Sequence, residues 1–285
     1  MNTMHVINMN ETIFRNAKEI GGRKFADIPV HALKIDAHYQ RPINDTGRLH
    51  IENMAKNWSN EKCDPLRVSY RGGSFYIVDG QHRYYAAQKA GVDFLVCEIM
   101  SNTSSQAEAV IFAQQNENKT VLRPYNLYRA WKHASSEIHN PQTDAAQHVA
   151  DVCGQYNLAV VPDARGRKFG GAISCVTDLM RFACLPGGLE WGMDLLYNAG
   201  WTASYGGLSK SIVSALRRVY QEFKPHSGDE TSEALLSLLT AYTPNALDCS
   251  SRSYYPSAST KAARFYLALR DCVTGVTAKA SQNIA

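Results

Sequence analysis

No apolar run in this 285-residue chain approaches the roughly 20 residues needed to cross a bilayer, which excludes a helical membrane span. The opening Met1-Asn2-Thr3-Met4-His5 lacks the charged and apolar regions of a secretion signal, so a cytoplasmic protein with no membrane partner is expected. The seven cysteines are odd in number, scattered and never spaced as CxxC, which argues against both a disulfide framework and a zinc site. Those in apolar surroundings read as small core residues. Internal repeats, heptad runs and low-complexity segments are also missing, so solenoid and coiled-coil architectures drop out. Nor does one sign of charge dominate: 30 Lys and Arg against 26 Asp and Glu leave +4, which permits a nucleic-acid or nucleotide partner without requiring one.

What is present is a globular composition, 45% hydrophobic, arranged in two different patterns. Residues 1–24 show no clear period and carry several Asn, and are expected to be a loosely held lead-in. From Phe25 the pattern tightens. Ile28-Pro29-Val30 and Leu33-Lys34-Ile35 read as a short strand and its approach, followed by the polar loop Asp36 to Pro42. Asp45 or Thr46 is the expected cap of a helix with Ile51, Met54, Ala55 and Trp58 on one face. Leu66, Val68 and Tyr70 alternate, Arg71-Gly72-Gly73-Ser74 turns, and Phe75 to Val78 is continuously apolar, a hairpin with a buried second strand. A helix over 81–90 stopped by Gly91, a strand over 94–100 and a helix opening at Ser104 complete an expected domain at 25–122. Beyond it, across 123–285, the strand signal vanishes. Helices are predicted at 125–139, 143–156, 172–184, 189–198, 207–223, 230–241 and 258–273, giving an α+β domain followed by an all-helical one.

The chemistry concentrates where the apolar strand runs into a helix through Asp79-Gly80-Gln81-His82-Arg83. A strand-to-helix turn aims its first N–H groups outward, and the helix macrodipole adds about half a positive charge there. Gly80 lets a ligand approach the backbone, Arg83 can fork onto two phosphate oxygens, and His82 can donate a hydrogen bond or pass a proton near neutral pH. Asp79 can hold a divalent cation or orient a nucleophile, so Asp79 and His82 are the candidate catalytic pair. The preceding loop adds Gln40 and Arg41. The plain structural reading makes Asp79 a cap, Gly80 a turn residue and the His-Arg pair a surface feature.

Taken in order, Ile28-Pro29-Val30, Tyr39-Gln40-Arg41-Pro42, the helix to Trp58, Asp64-Pro65-Leu66-Arg67-Val68 and Asp79 to Gly91 resemble the fold shared by ParB partition proteins, sulfiredoxins and free-serine kinases. Within it, the chain is similar to the proteins named for a DGQHR motif. The resemblance covers roughly residues 25–122 and implies a small mixed sheet, a nucleotide such as CTP or ATP with Mg²⁺, and a DNA-associated role of phage or plasmid type. It places Gln40, Arg41, Gly80, Gln81, His82, Arg83 and Tyr84 around the phosphates. Partition proteins carry a Gly-Glu-Arg-Arg turn, matched here by Gly80 and Arg83 but not by Gln81 and His82. Their following Glu-Asn-x-x-Arg segment is matched by Glu117 and Asn118, which with Asp79 make the implied metal set. The arginine position is Val121, so Asn116 and Lys119, or Arg123, are left to meet the phosphates. Sulfiredoxins place a catalytic cysteine where this chain has Gln81, which removes the reductase activity. The serine kinases carry Asp-Gly-His-His-Arg, matched at Asp79, Gly80, His82 and Arg83.

Tyr39, Tyr84 and Tyr85 could stack a nucleobase or simply pack. The stretch 156–171 is too long for the turn of a helix-turn-helix, yet its Arg165, Arg167 and Lys168 form a basic cluster able to touch a nucleic-acid backbone. Arg217 and Arg218 read as the wet face of a helix. Trp191, Trp201 and Leu235, Leu236, Leu238 and Leu239 read as helical core. Three functions stay open: a ParB-like binder of nucleotide or nucleic-acid phosphate, a Mg²⁺-dependent phosphotransferase or nuclease, and a protein-interaction module whose pocket is vestigial.

Overall fold

Alternation along the strands decides which residues face which layer. The computed structural model describes residues 3–101, 103–117, 123–163 and 170–275, without the side chains of 3–8 and 115–117. It has two units, one formed by 1–122 with 129–139 and the other by 123–128 with 140–285.

The first unit opens with α1 (Thr3–Arg15), followed by β1 (Lys18–Ile20), β2 (Arg23–Pro29) and β3 (Leu33–Lys34). Then come α2 (Asp45–Lys56), β4 (Leu66–Arg71), β5 (Ser74–Asp79), α3 (Gln81–Ala90), β6 (Phe94–Ser101) and α4 (Ser105–Glu117). The six strands form one mixed sheet in the order β1-β2-β6-β4-β5-β3, with β4–β6 and β3–β5 parallel and the remaining pairs antiparallel. One face carries Ile28, Leu66, Val68, Phe75, Ile77, Leu95, Cys97 and Ile99, which cluster with Tyr84 and Ala87 of α3. Burial pushes the Cys97 thiol up to about 12, so it behaves as a small apolar side chain. Residues of the alternate parity, Ser69 and Arg71, face α4 instead. At the far edge β1 is exposed throughout, and Ile20, Phe94 and Val96 lie open to solvent.

The expected lead-in is in fact structured. α1 and β1 occupy it, with the Asn10 amide donating to the Gly73 carbonyl at 2.9 Å and Phe14 stacked on Tyr70 at 4.4 Å. An asparagine, 1% exposed, sits at a core position, which is why no apolar period marks the helix. The cap of α2 is Asn44, one residue before Asp45 and two before Thr46, and its side chain accepts from the Gly47 amide at 2.8 Å.

The second unit is mostly helical. α5 (Pro124–Ala134) is shared between the two units, and α6 (Pro141–Gln155), α7 (Val176–Ala183), α8 (Gly188–Asn198), α9 (Lys210–Phe223), α10 (Glu230–Ala241), α11 (Pro244–Tyr254) and α12 (Lys261–Thr274) follow. Two corrections apply. Ala159–Val160 and Ala172–Ile173 form a short parallel pair, β7 and β8, so the helix expected from 172 begins only at Val176. The segment 244–254, rich in Ser and Tyr, is helical because Thr243 caps it and Pro244 occupies its first turn. Trp191 and Trp201 are core residues as expected, their indole N–H groups donating to Ser232 Oγ at 2.8 Å and to the Leu239 carbonyl at 2.7 Å.

A buried polar network ties the loop after β3 to the sheet. Arg71 donates through Nε to Glu108 at 2.7 Å and through Nη2 to Asp36, and its guanidinium lies 3.7 Å from the centre of the Tyr76 ring. Glu108, 0% exposed, also accepts from the Tyr39 hydroxyl at 2.8 Å. Asp36 accepts from the His38 amide at 3.0 Å and from Ser105 Oγ at 2.9 Å, and Ser105 Oγ lies 2.7 Å from His133 Nε2. Burial opposes ionisation of Asp36, but hydrogen bonds from His38 and Ser105 and the Arg71 charge outweigh it, holding the carboxyl below its ordinary value.

Glu108→Ala should leave Arg71 without its better-buried partner and cost on the order of 3 kcal/mol, read from urea denaturation. The Asp36 contribution should be fully present above the ordinary carboxylate value of 3.8 and be lost as pH falls through the lower folded value. The stability gap between the parent and Asp36→Asn should therefore shrink below about pH 4, whereas a gap that is constant down to acid unfolding would contradict the network.

Candidate phosphate site at the start of α3

β5 ends at Asp79 and the chain turns into α3 through Gly80, whose φ of 102° lies in the left-handed region. Any side chain there would be strained, and an added Cβ would lie 2.7 Å from Leu66 Cγ. Glycine also supplies no capping oxygen. Among the described residues, no acceptor meets the amides of Gln81, His82 and Arg83, the orphan donors of the first turn.

Those residues line a hollow of about 290 Å³, at the lower end of ligand-pocket sizes. Its other walls come from three elements. The loop after β3 supplies Gln40 and Arg41, α2 supplies His50 and Met54, and α4 supplies Phe112. Gln40 is buried and pinned, its Nε2 donating to the carbonyls of Ile77 at 3.0 Å and Val78 at 3.1 Å. Gln81 ties the other side of the loop, donating to the Arg41 carbonyl at 3.2 Å. Arg41 therefore has its backbone held while its guanidinium meets no carboxylate among the described residues. α2 approaches closely because residue 47 is glycine: a Cβ there would stand 2.9 Å from His82 Nε2. The His50 and His82 rings meet edge to face at 5.9 Å.

Charge in the hollow is uneven. Arg83 Nη2 pairs with Asp79 at 3.2 Å, and Nη1 donates to the carbonyls of Asp64 at 2.6 Å and Pro65 at 3.0 Å. The sequence suggests a guanidinium forked onto phosphate; here it anchors the turn before β4 and offsets the nearby acid. Desolvation, the Arg41 charge and His50 hold the His82 pKa below its ordinary value. The positive character facing the hollow thus comes from Arg41, the free amides and, when protonated, the two histidines.

Of the residues anticipated from sequence, Gln40, Arg41, Asp79, Gly80, Gln81, His82 and Arg83 converge here. Tyr84 does not. It is 9% exposed, packs in the sheet core and exchanges hydrogen bonds with the Leu33 carbonyl and Gln88, because position 84 falls on the inward face of α3. Tyr39 is likewise core, held by Glu108, and Tyr85 packs on the same cluster as Tyr84. The side chains of Asn116 and Glu117, and all of Asn118, Lys119, Arg165, Arg167 and Lys168, lie outside the described residues. His50, Met54 and Phe112 were missed. His50 and Met54 are spaced i, i+4, so the first turn of that stripe was readable in the helix pattern. Among the described residues, no three His, Cys, Asp or Glu side chains gather as a metal site. No cysteine is among the residues lining the hollow.

Residues 35–166, less than half of the chain but including every residue lining the hollow, match a family of unknown function (DUF6551). No curated protein matches. Similar solved structures include sulfiredoxin from Arabidopsis thaliana, 21% identical over 28% of this chain and 86% of that one, TM-score 0.23. Another is the C-terminally truncated chromosome-partitioning protein ParB from Caulobacter crescentus complexed with CTP-gamma-S, 18% identical over 68% and 98%, TM-score 0.28. A Pnob8-like ParB-N domain is 13% identical over 88% and 97%, TM-score 0.41.

Gly80→Ala should destabilise the protein by about 1–3 kcal/mol, from the left-handed backbone and the collision with Leu66. Thermal unfolding measures it, and a change within about 0.5 kcal/mol would show that the turn is not constrained as described.

Proposed function

We propose that this chain binds a nucleotide through its phosphates at the start of α3, in a DNA-associated regulatory role. One observation carries the binding: three amides without an acceptor among the described residues open onto a hollow whose charged and chargeable groups unpaired among those residues, Arg41, His50 and His82, are basic. Its acid, Asp79, is already paired with Arg83. An anion of phosphate size matches that arrangement in both charge and donor geometry. The DNA-associated role is supported by the sequence resemblance alone, which also puts CTP and ATP first among nucleotides to try.

The chemistry proposed is recognition. Asp79, one of the three residues implied for Mg²⁺, is engaged by a guanidinium and by itself makes no divalent-cation site. Arg41 would clamp phosphate oxygens, the α3 amides would orient them, and Gln40 and Gln81 would hold the loop that presents Arg41.

Calorimetric titration of CTP, ATP, ADP and GTP, with and without Mg²⁺, tests the proposal. At least one nucleotide should bind, and Arg41→Ala should weaken it about tenfold or more, the worth of a charge-assisted hydrogen bond. Asp79→Asn should retain binding. Failure of all four nucleotides and of orthophosphate to bind would refute the proposal, and product formation abolished by Asp79→Asn would replace recognition with catalysis.

A further inference from the structure

The hollow has fewer permanent cations than its sequence suggests, because Arg83 is committed to Asp79 and to the carbonyls of Asp64 and Pro65. Among the described residues lining the hollow, Arg41 alone is left to face a ligand with a fixed charge. A terminal phosphate near neutral pH carries close to two negative charges, and a diester within a nucleic-acid strand carries one. The groups able to make up the difference are His82 on α3 and His50 on α2, whose rings lie 5.9 Å apart at the same wall.

We infer that the hollow takes up protons as it binds, on His50 and His82, and by this means selects a doubly charged terminal phosphate over a singly charged diester. The inference rests on the anion-binding reading above and adds His50 to the site. In the empty hollow the two rings and Arg41 oppose one another, so protonating the half-buried His82 is unfavourable. A dianion placed among them reverses that balance. Asp79 does not replace it, since its charge is taken by Arg83. Gly47 contributes by leaving room for the His82 ring against α2. Tyr84 and Tyr85, which follow Arg83, pack on the sheet cluster and do not line the hollow.

The sign of the pH dependence follows. A histidine whose pKa is raised by the ligand binds a proton on complex formation, so for an anion that stays doubly charged affinity is greatest at low pH and is lost as pH rises through the bound-state value, whereas a phosphate also loses its second charge below about pH 6. One proton taken up corresponds to about a tenfold loss of affinity per pH unit across that window, and two to more. Below the lowered free-state value of His82 that ring is already charged and its contribution flattens.

The test is a pH titration of the histidine ring signals by NMR on the full chain, in saturating sulfate, which stays doubly charged, against methyl sulfate and chloride at matched ionic strength. Sulfate should raise the midpoints of His82 and His50 by about one pH unit and shift the amides of Gly80 to Arg83, with methyl sulfate doing less. His82→Gln and His50→Gln, checked for native amide spectra, should each flatten the pH dependence of sulfate affinity. Amides that respond to sulfate while both midpoints stay fixed would overturn the inference and leave anion binding standing. Equal rises in sulfate and methyl sulfate would overturn the selection of a dianion. Amides unmoved by sulfate, pyrophosphate and CTP would overturn both this inference and the reading beneath it.

Discussion

The bridge that Arg71 makes between Asp36 and Glu108 is the constraint on which the first unit's geometry depends. It joins β4, α4 and the loop after β3 in the interior, where an unpaired charge would be expensive. Because Glu108 also holds Tyr39, and Gln40 holds the last carbonyls of β5, the loop has little freedom by the time the chain reaches Arg41. The backbone of Arg41 thus inherits a fixed position from a buried ion network. Ordering that arginine before a ligand arrives lowers the entropic cost of binding.

The same economy accounts for the partners of Arg83. The loop before β4 presents two carbonyls, at Asp64 and Pro65, with no strand partner, and a guanidinium one turn into α3 satisfies both while pairing with Asp79. The residue therefore couples the turn to the sheet. The rest of the hollow is walled by the start of α3, by α2, by the Gln40–Arg41 loop and by Phe112, which come from well-separated stretches of sequence.

Much of this was legible in the residues themselves. The Leu66–Tyr70 alternation, the apolar Phe75–Val78 run, the Gly91 stop with φ 69°, and the 230–241 helix emerged where periodicity and punctuation agreed. Signals failed where a polar residue did the work of an apolar one, as Asn10 does in α1, or where capping outweighed composition, as Thr243 and Pro244 do for α11. At the site, the local turn was readable because its parts are contiguous. The partner of Arg83, the inward turn of Tyr84 and the arrival of His50 and Phe112 depend on tertiary packing, which periodicity alone does not determine.

β1 ends the sheet with three residues open to water, two of them Lys18 and Glu19. A short rim bearing opposite charges is a poor template for another chain's backbone, since a docking strand would have to strip water from both. The sheet is thereby guarded against growing by edge-on association along Lys18–Ile20.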